Sequence, residues 1–324
     1  MKGLFRWAAV WDVGELCHIL NRELMTEAGI ASKGPSGSAS DEAVLNETYL
    51  PFTEEELKGH FVDSEADHLG YYRSHLGKQM EYDERFWVVT TLKKLFDAHM
   101  GANGPYKDAL TRVLDRCLSF PPSGYSNWRA ALGKEPRLLF EVAMPAPKEY
   151  RNFMKSHYHE VTLSMKSLEG EPPPRTRFEG QTWVDAVLVG DTGVAVLFEA
   201  KVLSDVSCRI HYDVTRNQIA RNIDVMLEPG QGQSSVRFLQ TRDPELSHFV
   251  LLTPKIFKKD YPESRLYGWL MKKYMDDPKL LAMDLRHREN AGAVEQASKR
   301  MGWLTFQKCN KKLPGACPWM KTSE

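Results

Sequence analysis

The chain has 324 residues, of which 42% are hydrophobic and 27% charged, and its 43 Lys and Arg are matched by 43 Asp and Glu. That composition suits a globular protein with enough chain for a sizeable core in one or two domains. Zero net charge excludes a global field that would draw in nucleic acid, and the lack of any apolar run near about 18 residues excludes a membrane-spanning helix.

The opening stretch, MKGLFRWAAVWDVGE, has a short apolar segment that Asp12 and Glu15 close at once, so no signal peptide is expected and the address is cytoplasmic by default. Cys17, Cys117, Cys208, Cys309 and Cys317 are odd in number and scattered. They form neither a disulfide framework nor a paired Cys-x-x-Cys zinc site, so buried reduced thiols are expected. Charge is uneven along the chain: residues 1–80 carry 7 Lys/Arg and 13 Asp/Glu, and residues 251–324 carry 15 and 8. A basic C-terminal segment is compatible with phosphate contacts and equally with a solvated mixed surface.

Residues 1–134 read as a mainly helical region. Trp7, Val10, Trp11, Leu16, Ile19, Leu20 and Leu24 recur at helical spacing over 4–28, with Gly29 as the stop. Lys33–Asp41 reads as an exposed Gly/Ser/Pro loop, and Thr53 with Glu56 carries a capping signature. Helices follow over 83–99 and 105–118, with apolar residues at core spacing and few chemical groups. His18, His60, His68, His75 and His99 have no partners at a recognisable spacing and read as structural or surface residues.

Residues 135–324 alternate strand and helix patterns. Leu138–Val142 is a strand candidate, Lys148–Leu168 a helix that Pro172-Pro173-Pro174 breaks, and Arg175–Gly180 a candidate first core strand. Trp183–Val189 and Val194–Phe198 flank Gly190-Asp191-Thr192-Gly193 as a β-hairpin. Thr215–Leu227 reads as a helix with Thr215 at its cap; Gln218, Arg221 and Asn222 share one face and suit phosphate or base contacts. Glu228–Ser235 is a loop, His248–Thr253 the fourth core strand, Leu266–Tyr274 and Ala291–Met301 helices, and Trp303–Phe306 an edge strand.

The hairpin carries Asp185, Glu199 and Lys201, and strand interiors rarely hold unpaired charge. A three-residue loop, Asp191-Thr192-Gly193, with Gly193 in the left-handed region pairs Gly190 with Val194 and Asp185 with Glu199; Lys201, two residues on, shares that face. A two-residue loop would put Asp185 on the other face. The three-residue loop is expected, because Gly193 sits where it is needed. Adjacent carboxylates repel, and a divalent cation relieves that repulsion; hard oxygen donors suit Mg²⁺ or Mn²⁺. Lys201 could orient or deprotonate a water, or balance charge on a phosphate. An exposed strand end with a surface ion pair would carry the same triplet. Glu56-Leu57-Lys58 is such a triplet with no strand ahead of it.

At Asp185, Glu199-Ala200-Lys201 and Gln218 the chain resembles the PD-(D/E)XK nuclease superfamily, with Val184 where that pattern often has Pro. The resemblance covers about residues 146–255. It implies an α/β, restriction-endonuclease-like core over 135–324, with a small mixed sheet flanked by helices. It implies metal-dependent hydrolysis of nucleic-acid phosphodiesters, DNA favoured over RNA. Asp185, Glu199 and the Ala200 backbone carbonyl would ligate Mg²⁺ or Mn²⁺, with Glu160 a further candidate on the preceding helix. Lys201 would position water or balance charge, and Gln218 would orient it; Arg221 and Asn222 would contact nucleic acid. Glu179, just ahead of the hairpin, could be a further acid supporting the site, and His157 and His159 lie beside Glu160 without a specific role. A nucleic-acid-binding or protein-interaction module that keeps the fold without hydrolysis is the alternative.

Overall fold

The computed structural model describes residues 84–101, 103–161, 180–206, 216–229 and 239–317. The readings for residues 4–28, 33–41 and 51–56, the strand reading of 175–179 and the loop at 230–235 lie outside them. So do the side chains of His159 and Glu160, and Glu179.

The order of elements is α1 Glu84–Met100, α2 Ala109–Cys117, α3 Trp128–Leu132, β1 Arg137–Met144, α4 Lys148–Val161, β2 Thr182–Val189 and β3 Ala195–Ala200. Then come α5 Gln218–Met226, β4 Ser247–Thr253, a π-helical turn Ile256–Asp260, α6 Leu266–Asp276, α7 Pro278–Asp284, α8 Ala291–Lys299, β5 Met301–Thr305 and α9 Phe306–Lys312. Among the described residues the strands form one five-stranded sheet in the order β1-β2-β3-β4-β5. The first two ladders are antiparallel and the last two parallel. The fold is therefore α/β, with a mixed sheet.

β3 (AVLFEA) and β4 (SHFVLLT) are buried at every position. Burial along the whole length belongs to strands covered on both faces. On one face Phe140, Leu188, Val196 and Phe198 pack with Trp87, Leu92 and Leu95 of α1, Leu110 and Leu114 of α2, and Trp128 of α3. On the other, Val187, Leu197, Phe249 and Leu251 pack with Ile219 and Ile223 of α5 and Tyr267 and Met271 of α6. The described helices ahead of residue 135, α1, α2 and α3, thus share a core with the sheet. Among the described residues no helix is long and apolar enough to cross a membrane.

Some boundaries differ from the expectation. The helix read from Pro105 starts at Ala109, because the Lys107 amide bonds Gly104 O at 3.2 Å and the Ala109 amide bonds Tyr106 O at 2.8 Å, which makes residues 104–109 consecutive turns. α5 starts at Gln218 and is capped by Asn217, whose side chain accepts from the Ala220 amide; Thr215 lies outside the described residues. The strand that flanks the hairpin is β1, which pairs with β2 from Arg137↔Val189 to Met144↔Thr182.

The hairpin has the three-residue loop. Val189 pairs with Ala195 and Ala186 with Phe198; Gly190 N–H donates to Val194 O at 2.8 Å, and Gly193 has φ +88°. The loop tip is clamped from outside the sheet. The Asp191 carboxylate accepts the Lys134 and Glu135 amides at 3.1 and 3.2 Å, and Thr192 Oγ1 donates to Ala131 O. Gly190 lies so close to α3 that a Cβ there would stand 2.7 Å from Leu132 O.

Candidate functional site

Register carries the hairpin's charges to the end of the sheet away from this loop. One step beyond Ala186↔Phe198, Asp185 stands across from Glu199. The ladder ends there, because the Asp185 carboxylate itself takes the Ala200 amide, Oδ2 to N 2.6 Å. The Lys201 amide instead donates to Leu252 O at 3.0 Å, so β3 leaves the hairpin while still bound to β4.

Glu199 is fully buried, and a buried carboxylate needs donors. It has three. Lys201 Nζ and Gln218 Nε2 each lie 2.6 Å from Oε1, and Asn222 Nδ2 lies 2.8 Å from Oε2. Gln218 and Asn222 are one helical turn apart and so reach the same carboxylate. α5 is fixed at both ends to present them. Asn217 Nδ2 donates to Tyr274 Oη and Asp284 Oδ2 at 2.6 and 2.9 Å. At the other end the buried Arg242 guanidinium donates to the carbonyls of Val225, Met226 and Glu228.

Lys201 is 5% exposed, and its ammonium sits where oxygens converge: Glu199 Oε1 at 2.6 Å, Ala200 O at 2.9 Å and Glu84 Oε2 at 3.2 Å. Glu84 opens α1, on the opposite face of the sheet, and reaches around the strand ends. Its Oε1 accepts the Val202 amide at 3.2 Å and the Ser204 hydroxyl. Sequence reasoning missed Glu84, having read this helix as packing alone. The available signal was a carboxylate in the first turn of a helix otherwise rich in Trp, Val and Leu.

The polar stripe expected on α5 is divided. Asn222 is fully buried and holds Glu199, so it does not face a polyanion; that part of the nucleic-acid-contact expectation is corrected. Arg221 is half-buried, with Nη2 3.5 Å from Thr182 Oγ1. Glu160 lies on α4, its side chain outside the described residues. His157 stacks on Phe153 with centroids 4.4 Å apart.

The electrostatics follow from burial. Burial first, and then the charge of Glu199, pushes the Asp185 carboxyl well above the ordinary range. Burial also raises Glu199, against the pull of Lys201 and the hydrogen bonds from Lys201 and Asn222. With donors on both its oxygens, Glu199 stays ionised more readily, and a proton taken up by the pair goes to Asp185. Burial alone would lower Lys201, but Glu199, Asp185 and Glu84 outweigh it and hold the amine above its ordinary value. In this arrangement Lys201 carries a positive charge.

Among the described residues, no three His, Cys, Asp or Glu side chains form a ready metal cage. The oxygens of Glu199, Ala200 and Glu84 nevertheless already surround a cation, the Lys201 ammonium, with Asp185 beside them on the Ala200 amide. That hard-oxygen set fits Mg²⁺ or Mn²⁺ better than a soft metal. Comparison with protein-family models, curated proteins and solved structures finds no match for the chain.

Proposed function

We propose that the chain is a metal-dependent nuclease with a restriction-endonuclease-like core, hydrolysing nucleic-acid phosphodiesters, DNA ahead of RNA. The observation that supports this most is the convergence of Glu199, Glu84 and the Ala200 carbonyl on Lys201, with Asp185 across the splayed strand end. A buried ammonium needs an acceptor for each of its three N–H groups; here two of the three come from carboxylates, with a third carboxylate, Asp185, on the neighbouring amide.

In this reading Asp185, Glu199 and the Ala200 carbonyl hold Mg²⁺ or Mn²⁺, which supplies Lewis-acid polarisation of a phosphoryl oxygen and a more acidic water. Gln218 and Asn222 fix the Glu199 carboxylate from both sides, so its orientation needs no adjustment as charge develops. Glu84 holds the Lys201 ammonium and the chain just after it. Lys201 donates toward the phosphate oxygen that gains charge or orients the attacking water.

The second reading, a binding module that keeps the fold without hydrolysis, draws on the full burial of Glu199 and near-full burial of Lys201. Cleavage assays separate the two. Purified protein is offered single- and double-stranded DNA and RNA with Mg²⁺, Mn²⁺ or chelator. Metal-dependent cutting by wild type, reduced about a hundredfold or more in Lys201→Ala with nucleic-acid binding kept, is expected. Binding without cutting would favour the module. Equal cutting by both proteins would place any nuclease outside this site.

A further inference from the structure

Between the buried Val202 and Val206 the chain leaving Lys201 comes to the surface. Leu203 is 40% exposed, and residues 203–205 run to the start of α6. There the Asp205 carboxylate accepts the Leu266 and Tyr267 amides at 2.7 and 3.2 Å, and Arg265 Nη2 donates to Leu203 O at 3.4 Å. The outer surface of α6 is thereby tied to the charge cluster by a few residues of chain.

That surface is unusual for a solvated helix. Trp269 is 49% exposed, Leu266 39%, and Tyr261, just before α6, 61%. Leu266 and Trp269 are one turn apart and line a shallow cavity of about 690 Å³ together with Glu263, Ser264 and Arg265. Single exposed apolar residues need no explanation, but Leu266 and Trp269 share one cavity, and Tyr261 is exposed on the segment that leads into it. The cavity itself holds one acid, Glu263, and one base, Arg265, while the chain over residues 255–279 holds 7 Lys/Arg and 4 Asp/Glu. Lys273 Nζ stands 5.9 Å from the Trp269 ring, Lys259 and Lys272 are exposed, and the Arg265 guanidinium lies over Phe257 at 4.6 Å. Since Asp205 already caps the α6 N-terminus, the cations here are side chains and not the helix end.

Exposed aromatic rings flanked by Lys and Arg match one polymer in particular. Unpaired bases stack on such rings while the cations follow the phosphates. A duplex hides its base faces and would meet the cations alone. A protein partner would gain from the rings, and from the surplus of positive charge only if its own face were acidic. We propose that Trp269 and Tyr261 form a stacking platform for single-stranded nucleic acid, which feeds an unpaired strand to the site around Lys201. This rests on the nuclease reading for what happens at the end of the strand, but the platform's binding can be measured without cleavage.

The test uses the full chain in chelator. Fluorescence anisotropy compares a labelled 20-nucleotide single strand with its duplex, for wild type, Trp269→Ala, Trp269→Phe and Tyr261→Ala. Single strand bound at least about tenfold tighter than duplex is expected. Trp269→Ala should lose about tenfold on single strand and little on duplex, with an unchanged urea midpoint; Trp269→Phe should keep most of the affinity. Equal affinity for the two forms, or full single-strand affinity in both alanine variants, would overturn the platform. So would a dimer in sedimentation that Trp269→Ala dissolves, because the patch would then be a contact between copies. Adding Mg²⁺ to the same samples separates the two proposals. Trp269-dependent binding without cutting keeps the platform and ends the nuclease reading, whereas cutting that ignores Trp269 does the reverse.

Discussion

Glu84 and Lys201 meet around the end of the sheet, Oε2 to Nζ 3.2 Å, from helices and strands that pack on different layers. The same carboxylate takes the Val202 amide, so it positions both the ammonium and the chain that carries it. Glu84→Gln keeps the shape and removes the charge. Activity at saturating metal should fall about tenfold to a hundredfold, as when a group that orients an active side chain is changed. Rates measured against metal concentration check this. A variant with wild-type rates would leave Glu84 a purely structural contact.

Mg²⁺ or Mn²⁺ should raise the thermal midpoint, since the ion binds the folded carboxylates and not the unfolded chain. Asp185→Asn should abolish the rise. The raised pKa of Asp185 sets the sign of the pH effect: protons compete for the same oxygens, so the metal-dependent rise should shrink as pH falls toward that value. Thermal scans with and without ion at several pH values are the measurement. A rise that survives in Asp185→Asn would place the ion elsewhere.

His248 lies on β4 at the other end of the sheet, with its ring edge-on to Trp128 at 5.0 Å and Nδ1 3.1 Å from Leu246 O. Burial, helped by Arg300, lowers its pKa to about 4. The unfolded chain takes up this proton near the ordinary value of 6.5, and the folded chain does not until about 4. Stability should therefore fall on acidification from 6.5 toward 4, by up to about 3 kcal/mol from this group. His248→Phe should flatten that part of the profile. Urea midpoints at pH 7.5 and 4.5, compared between the two proteins, decide it.

Asp224 is a buried carboxylate remote in role from the cluster. Arg216, Arg288 and His287 all reach it, with Arg288 Nε 2.5 Å and His287 Nε2 3.0 Å from Oδ1. Burial works to raise its pKa, but Arg216, the His287 hydrogen bond and Arg288 prevail and hold it well below the ordinary range. Its stabilising effect is full above the unfolded value near 3.8 and is lost as pH falls through the folded one. Asp224→Asn leaves buried cations without their carboxylate and should cost about 3–5 kcal/mol at pH 7. A loss under 1 kcal/mol by urea unfolding would mean that the cluster rearranges.

The hairpin was legible because its cues are local. Gly193 sits at the one loop position with positive φ, and that single placement sets the register that brings Asp185 across from Glu199. Gln218 was legible from its helix, although Asn222 was misassigned: the spacing that puts two residues on one face does not tell whether the face looks out or in. Glu84 was not legible, since its partner lies more than a hundred residues away and no spacing rule spans that distance. The helices α3, α7 and α9 have only 5, 7 and 7 residues, too few for periodicity to mark them.

The site stands where the sheet changes from antiparallel to parallel, and this ties its assembly to the last stages of folding. The β2–β3 hairpin closes a three-residue loop, which is a fast, local event. Parallel pairing of β3 with β4 must close a loop of roughly fifty residues, which is slow because the entropy of closure comes before the contacts that reward it. Gln218 and Asn222 lie within that crossover, and the Lys201 amide needs Leu252 of β4. A chain that has made only its hairpin holds Asp185 and Glu199 as repelling, hydrated carboxylates, with nothing to gather them. The centre therefore comes into being only with the finished fold, and a chain arrested on the ribosome or trapped halfway does not carry it.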